Sequence, residues 1–260
     1  MSRQNYYKVR RQRQQLSIDE ELVLALVARE RCRHPRIGAR KLLHLIRPEL
    51  AEAELSLGRD RFLALLKRQK LLIQRRSSCR TTMSGHGFGV YPNLARDLQL
   101  SAPHQLWVSD ITYIRTLEGF MYLSLIMDAH SRAIVGYDCN DSLEMQGALS
   151  ALKMALGQLP RGLNPMHHSD RGVQYCCGAY TQELSQAGLR ISMTEENHCY
   201  ENAKAERLNG VLKQEYGLGQ TIASKSLARA MTAQAVSSYN QFRPHGALRY
   251  RTPMEVHLAA

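Results

Sequence analysis

Hydrophobic spacing changes character partway along this chain. Up to about residue 70, apolar positions recur every three or four residues, the period of helices with one buried face. Ser17-Ile-Asp-Glu20 is a capping-box pattern, with the Ser17 hydroxyl accepting from first-turn amides and Glu20 reaching back. It predicts a helix to about Arg33, stopped by Pro35. A second helix is predicted from about Gly38 through Ile46, closed by Pro48. A third runs from Arg59 to Lys70, with Phe62, Leu63, Leu65 and Leu66 on its buried side. From Arg75 to Ser101 the pattern breaks into Arg-Arg-Ser-Ser, Gly85-His-Gly-Phe-Gly89 and Tyr91-Pro92-Asn93, which reads as a linker. The glycines are not a phosphate loop, because no Lys-Ser/Thr follows and no strand precedes.

Beyond the linker the period shortens. Leu106 to Ile114, Gly119 to Asp128 and Ala133 to Asp138 are β-favouring runs joined by turn residues. There follow a helix (about Leu143 to Leu156), a strand (Pro165 to Ser169), a helix (Ala179 to Ala187) and a strand (Leu189 to Met193). A helix around Glu206 and a last one from about Ser226 to Phe242 complete the order. Three hairpin-linked strands, then helix, strand, helix, strand, helix, is the ribonuclease H-like order. The expected fold is α/β, a ribonuclease H-like mixed five-stranded sheet flanked by helices, preceded by an all-α helix-turn-helix domain. The expected division is a basic arm over 1–15, a helical, helix-turn-helix-like domain over 16–80, a linker over 81–102 and the ribonuclease H-like core with its C-terminal helix over 103–260.

Charge sharpens that division. Residues 1–80 hold 20 Lys and Arg against 8 Asp and Glu, while residues 81–260 hold 15 of each. The whole excess of +12 therefore sits in the first third, as expected of a polyanion-binding segment joined to a neutral domain. Arg40, Lys41, Arg59, Arg61, Lys67 and Arg68, on two helices with a turn between them, are the candidate DNA contacts there. A solvated basic bundle with no partner is the alternative. No stretch approaches the roughly 20 apolar residues of a membrane span, and no apolar segment follows the basic start. Six cysteines without a Cys-x-x-Cys pair point to free thiols in a reducing compartment. The chain is expected to work in the cytoplasm, without a membrane. His34 and His44 lie near Cys32 at a spacing that fits no zinc pattern.

The stretch from Tyr200 to Tyr216 has two faces at about 100° per residue. Ala205, Leu208, Val211, Leu212 and Tyr216 share one arc; Asn202, Glu206, Asn209, Gly210 and Lys213 share the other. Upstream lie two Asp-centred stretches, Trp107-Val-Ser-Asp110-Ile-Thr112-Tyr113 and His168-Ser-Asp170-Arg-Gly172-Val-Gln174-Tyr175. Thirty-five residues separate Asp170 from Glu206, and Lys213 follows seven later. This constellation resembles the catalytic signature of retroviral integrases and bacterial insertion-sequence transposases. Its flanks, with Tyr239-Asn240 and Arg243-Pro244-His245, resemble the second-frame product of insertion sequence family three.

The resemblance implies a DNA transposase that cleaves and joins strands at the ends of a mobile element. Its cofactor would be two Mg²⁺ ions, with Mn²⁺ able to substitute. Such ions, about 3.5–4 Å apart, activate the attacking oxygen and stabilise the leaving 3′-oxygen, and hard cations prefer carboxylate oxygens to His or Cys. Asp110 would bridge both ions, with Asp170 and Glu206 each holding one. Lys213 would sit near a phosphate of the transposon end as a point charge. Asn202 and Gln174 would orient substrate or water. His168 would touch DNA or close its strand structurally. Arg243 and His245 match the family's closing motif; from the residues alone, Pro244 simply stops a helix. Glu201-Asn202 and Arg207 depart from the commoner Asp-Asn and Ser without removing a ligand. The implied partners are transposon-end DNA, target DNA, further copies of the chain on DNA, and a first-frame protein carrying its own helix-turn-helix and leucine zipper. The setting is a bacterial cytoplasm, at the nucleoid.

Three other readings compete. His168-x-x-Arg171 with Tyr200 downstream matches part of a tyrosine recombinase, whose remaining context is missing. A DNA-binding regulator would use only the basic first third. A nuclease of RNA hybrids would share the fold.

Overall fold

The computed structural model describes residues 19–73, 89–195 and 202–259. The basic arm, Ser17 of the capping box, Gly85 to Phe88 and Tyr200 lie outside the described residues. The chain forms two compact units, Met1–Arg75 and Arg76–Ala260. Among the described residues no helix is long and apolar enough to cross a membrane.

The first unit holds α1 over residues 19–33, α2 (Ala39–Glu52) and α3 (Arg59–Arg68). Val23, Val27, Ile37, Leu42, Ile46, Leu50, Phe62 and Leu66 meet in its core. Pro48 does not close α2, which runs one turn past it. Proline forfeits one backbone bond, to the carbonyl four residues earlier. Burial of Leu50, in line with Leu43 and Ile46, holds the last turn against that loss. The candidate DNA contacts are spread over α2 and α3. Arg40, Arg61 and Lys67 are exposed and Lys41 is half-buried; Arg59 pairs with Asp60 and Arg68 with Glu20.

The second unit is built on a five-stranded mixed sheet in the order β3-β2-β1-β4-β5. β1 (Leu106–Thr116), β2 (Gly119–Asp128) and β3 (Ile134–Asn140) form an antiparallel meander. β4 (Met166–Ser169) and β5 (Arg190–Met193) run parallel to β1. The first hairpin extends two residues further than the apolar run suggested. Thr116 Oγ1 donates to the Gly119 carbonyl and accepts from the Glu118 N–H, and Gly119 takes a φ of 110° that other residues resist. Helices α4 (Met145–Gln158), the short α5 (Val173–Cys176) and α6 (Gly178–Gln186) cover one face around Trp107, Ile126, Ala151, Leu152 and Tyr180. α4 lies so close to β3 that a Cβ on Gly136 would stand 2.1 Å from the Ala151 carbonyl oxygen. Helices α7 (Ala203–Glu215) and α8 (Lys225–Phe242) cover the other face around Val108, Ile114, Leu123, Leu212 and Tyr239.

Several features depart from the sequence-based expectation. A 3₁₀ turn (Gly246–Leu248) and a short helix α9 (Pro253–Leu258) follow α8. α9 opens on a capping box in which Thr252 accepts from the Glu255 N–H and Glu255 accepts from the Thr252 N–H. Residues 89–102 are not a free linker. The Pro92 carbonyl accepts from the Met193 N–H (3.4 Å), the Leu94 N–H donates to Ser192 Oγ (2.9 Å), and Arg96 pairs with Glu195 (3.0 Å).

Arg243, expected from its motif to meet DNA, is committed to an ion pair inside the fold. It is 1% exposed and forks onto Glu215, with Nε and Nη2 donating to the two carboxylate oxygens at 2.7 and 2.9 Å. Burial alone would lower its pKa; the Glu215 hydrogen bonds and charge outweigh that and raise it. The pair ties the end of α8 to the end of α7. Removing one partner strands a buried charge, so Glu215→Ala is expected to destabilise the second unit by about 3–5 kcal/mol, and Glu215→Gln by less. Urea denaturation followed by tryptophan fluorescence of the buried Trp107 reads this directly; an unchanged midpoint would contradict it.

Candidate active site

Three elements deliver the carboxylates. β1 and β4 pair in parallel through Leu106–Met166, Trp107–His167 and Val108–His168. Continuing that register by two residues sets Asp110 beside Asp170, which follows directly after β4. α7 brings Glu206 in its first helical turn. One Asp110 carboxylate oxygen accepts from the Ile111 N–H (2.9 Å), and the other accepts from the Asn209 amide (2.7 Å). Asp170 accepts from the Gly172 N–H at 3.0 Å, which turns the chain into α5.

The electrostatics of Asp110 report the crowding. Its pKa is pushed from 3.8 up to about 7, first by burial and next by the Asp170 charge, with Glu206 adding to the same effect. The Ile111 N–H and the Asn209 amide oppose the rise. Both other carboxylates thus act on Asp110, while Glu206 itself stays exposed. Among the described residues no three His, Cys, Asp or Glu side chains already stand as a ready metal-binding group.

Lys213 occupies the same helix face. Burial lowers its pKa, and the Asp110 charge acts in the opposite direction. Its ammonium lies over the Tyr113 ring, 4.4 Å from the centroid.

Other residues of the sequence motif serve to hold the site. Asn202, 3% exposed, donates its amide to the Ser109 carbonyl at 2.9 Å, which pins the start of α7 to β1 one residue before Asp110. His168 is also buried, with Nδ1 against Ser192 Oγ at 2.9 Å, a contact that suits the structural alternative. Gln174 donates to the Leu143 carbonyl at 2.8 Å and bridges α5 to the segment before α4. His245 sits in the turn after α8, its carbonyl accepting from the Leu248 and Tyr250 N–H groups. The alternative pairing of His168 and Arg171 for recombinase chemistry is spent structurally, since Arg171 Nε donates to the Thr194 carbonyl at 2.7 Å.

Asn209 was missed as a functional residue. The sign was present: a second amide seven residues after Asn202 and three after Glu206, on the same arc. Also missed was the layer beneath the site, where buried His167 Nε2 meets Ser109 Oγ (2.7 Å) and the Tyr180 hydroxyl (2.9 Å).

The comparisons agree with this architecture. Residues 101–199 match a model described as Integrase core domain, and residues 187–253 match a second model of the same description. The chain is 40% identical over 202 residues to the insertion element IS600 uncharacterized 31 kDa protein of Shigella sonnei, covering 76% of this chain and 72% of that one. It is 37% identical over 185 residues to transposase InsF for insertion sequence IS3A of Escherichia coli K12, covering 70% of this chain and 64% of the relative. Among solved structures, the simian T-cell lymphotropic virus intasome matches with a TM-score of 0.50 at 17% identity, over 85% of this chain and 70% of that one. The HTLV-2 integrase catalytic core domain in complex with magnesium matches with a TM-score of 0.48 at 18% identity, over 60% of this chain and 97% of that one. The second unit is an integrase core of the ribonuclease H-like fold. The chain belongs to the IS3 family of insertion-sequence transposases.

Two expectations follow from the geometry. Asn209→Ala removes the donor that orients Asp110, and outer partners of this kind typically matter by about 10- to 100-fold. A loss of that size is expected in the strand transfer proposed below, with folding retained by circular dichroism; full activity would contradict it. The second concerns His167, whose pKa burial drives down to about 3, with the His168 charge adding to the fall. Between about 3 and its ordinary value of 6.5 the unfolded chain binds the proton and the folded chain does not. Stability is therefore fully present above pH 6.5 and lost as pH falls, by about 1.4 kcal/mol per pH unit for this one group. His167→Gln should flatten that part of the urea-midpoint profile, and an unaltered slope would count against it.

Proposed function

We propose that the chain is a DDE-type transposase, a divalent-cation-dependent polynucleotidyl transferase that cleaves at the ends of a mobile insertion sequence and joins the freed 3′-hydroxyl to target DNA. Asp110, Asp170 and Glu206 are its metal-binding and catalytic residues. The observation carrying this reading is the convergence at Asp110: the β1–β4 register sets Asp170 beside it and α7 brings Glu206, and burial first, then those two charges, push its pKa up to about 7. A fold gains no stability from three mutually repelling acids, whereas divalent cations relieve the repulsion.

The donor set suits Mg²⁺ or Mn²⁺, because it consists of hard carboxylate oxygens. Asp110, central among the three, would be shared by two ions, with Asp170 and Glu206 each holding one. When bound, such ions supply Lewis acidity to the attacking and leaving oxygens of an in-line displacement. The chain's own residues do the remainder. Asn209 and the Ile111 N–H hold Asp110 in place, Asn202 fixes the helix that carries Glu206, and Lys213 presents a cation to a nearby phosphate.

Arg40, Lys41, Arg61 and Lys67 of the first unit are proposed to grip DNA phosphates, Arg59 and Arg68 contributing once released from Asp60 and Glu20. The protein would act as a multimer on transposon-end and target DNA in the bacterial cytoplasm, at the nucleoid, with a first-frame protein aiding end recognition.

Asp170→Asn is expected to reduce strand transfer to background while leaving DNA binding intact, and EDTA should do the same to the wild type. Strand transfer at the wild-type rate by Asp170→Asn would end this reading.

A further inference from the structure

The hairpin end of β1 and β2 carries aromatic and cationic side chains, and Lys213 of α7 reaches them. By the register of the two strands, Tyr113 faces Tyr122 and Arg115 faces Phe120. Phe120 is 46% exposed. The Tyr113 and Phe120 rings meet edge to face, 5.6 Å between centroids. The Arg115 guanidinium lies 5.5 Å from the Phe120 centroid, and the Lys213 ammonium lies 4.4 Å from that of Tyr113. Cation, ring, ring, cation thus alternate along a short ridge whose inner end, Lys213, feels the Asp110 charge.

The acids at this end of the sheet are occupied elsewhere. Asp141 pairs with Arg229 and with Lys225 (3.5 Å), and Glu118 accepts from the Lys225 N–H at 2.8 Å. Among the described residues neither Arg115 nor Lys213 is in an ion pair within 4.0 Å. The ridge therefore presents ring faces for stacking and unneutralised cations for phosphate, starting at the carboxylate cluster.

We propose that this ridge is a nucleotide-stacking site. An unpaired base, a nucleotide or two from the phosphodiester held at Asp110, Asp170 and Glu206, stacks on Phe120, while Arg115 and Lys213 neutralise its flanking phosphates. The ligand class is a frayed or single-stranded DNA terminus, recognised by its π-face and backbone charge and not by its base edges. The inference rests on the reading of those three carboxylates as the reacting centre.

The test uses the full chain in EDTA with two probes: a blunt duplex, and the same duplex with a short unpaired tail carrying 2-aminopurine. Wild type should bind the tailed duplex more tightly and quench the 2-aminopurine emission. Phe120→Ala should lose about 10- to 100-fold on the tailed probe alone and leave the fluorophore unquenched, with Phe120→Trp restoring both. Equal loss on both probes, or quenching that persists in Phe120→Ala, overturns the proposal. So does a shift from dimer to monomer in sedimentation with quenching intact, which would assign the ridge to a second copy of the chain. Mg²⁺-dependent strand transfer by the wild type, run in parallel, separates the two ideas. Transfer with quenching that ignores Phe120 sinks the stacking site alone. No transfer, with quenching that depends on Phe120, sinks the transposase reading alone.

Discussion

Asp110 is held where it repels its neighbours, and much of the second unit can be understood as the means of keeping it there. Parallel pairing of β1 with β4 sets residues 110 and 170 side by side at the point where the two strands part. Neither strand can retreat, because Val108 and Ile114 on one face and Trp107 on the other are locked into two separate apolar cores. α7 is held just as firmly: Ala205, Leu208, Val211 and Leu212 are buried, and Asn202 and Asn209 fasten its polar arc to β1 on either side of Glu206. Hydrophobic burial is undirected and large. It is the term able to hold like charges together in the absence of a counter-ion.

This arrangement divides the motif residues into two kinds. Asp110, Asp170, Glu206 and Lys213 face the place where chemistry is proposed. His167, His168, Asn202, Arg171 and Arg243 each hydrogen-bond a neighbouring part of the fold through at least one polar atom. The buried members give the motif residues beyond the acids a structural part. An unsatisfied buried polar group costs more than a hydrogen bond contributes, so each strut is specific to its partner: Asn202 to the Ser109 carbonyl, His168 to Ser192, Arg243 to Glu215.

Much of the sheet was legible because its strands alternate or run apolar between clear turn residues; the five strands follow from that pattern, and the pairing of β1 with β4 from the ribonuclease H-like order they match. The three acids were legible through spacing. What escaped was whatever depends on contacts distant in sequence. Nothing local distinguishes an Arg243 that grips DNA from one that forks onto Glu215, since both follow a helix end and precede a proline. Asn202 and Asn209 read only as members of the polar arc that carries Glu206; β1, more than ninety residues earlier in the chain, supplies their partners. Pro48 misled in the other direction: its local rule is sound, but burial of Leu50 outweighed a single forfeited backbone bond.

The strap formed by residues 89–96 bears on how the molecule avoids its own kind. β5 is a terminal strand, and a bare strand margin offers unpaired amides and carbonyls to any passing chain. Pro92 and Leu94 occupy part of that margin, and proline itself offers no N–H to extend the ladder outward. A fragment cut at residue 103 would keep every acid of the site yet expose this rim, inviting intermolecular sheet growth. The natural frontier of the folded body thus lies upstream of its first strand, in a segment whose composition looks like a mere tether.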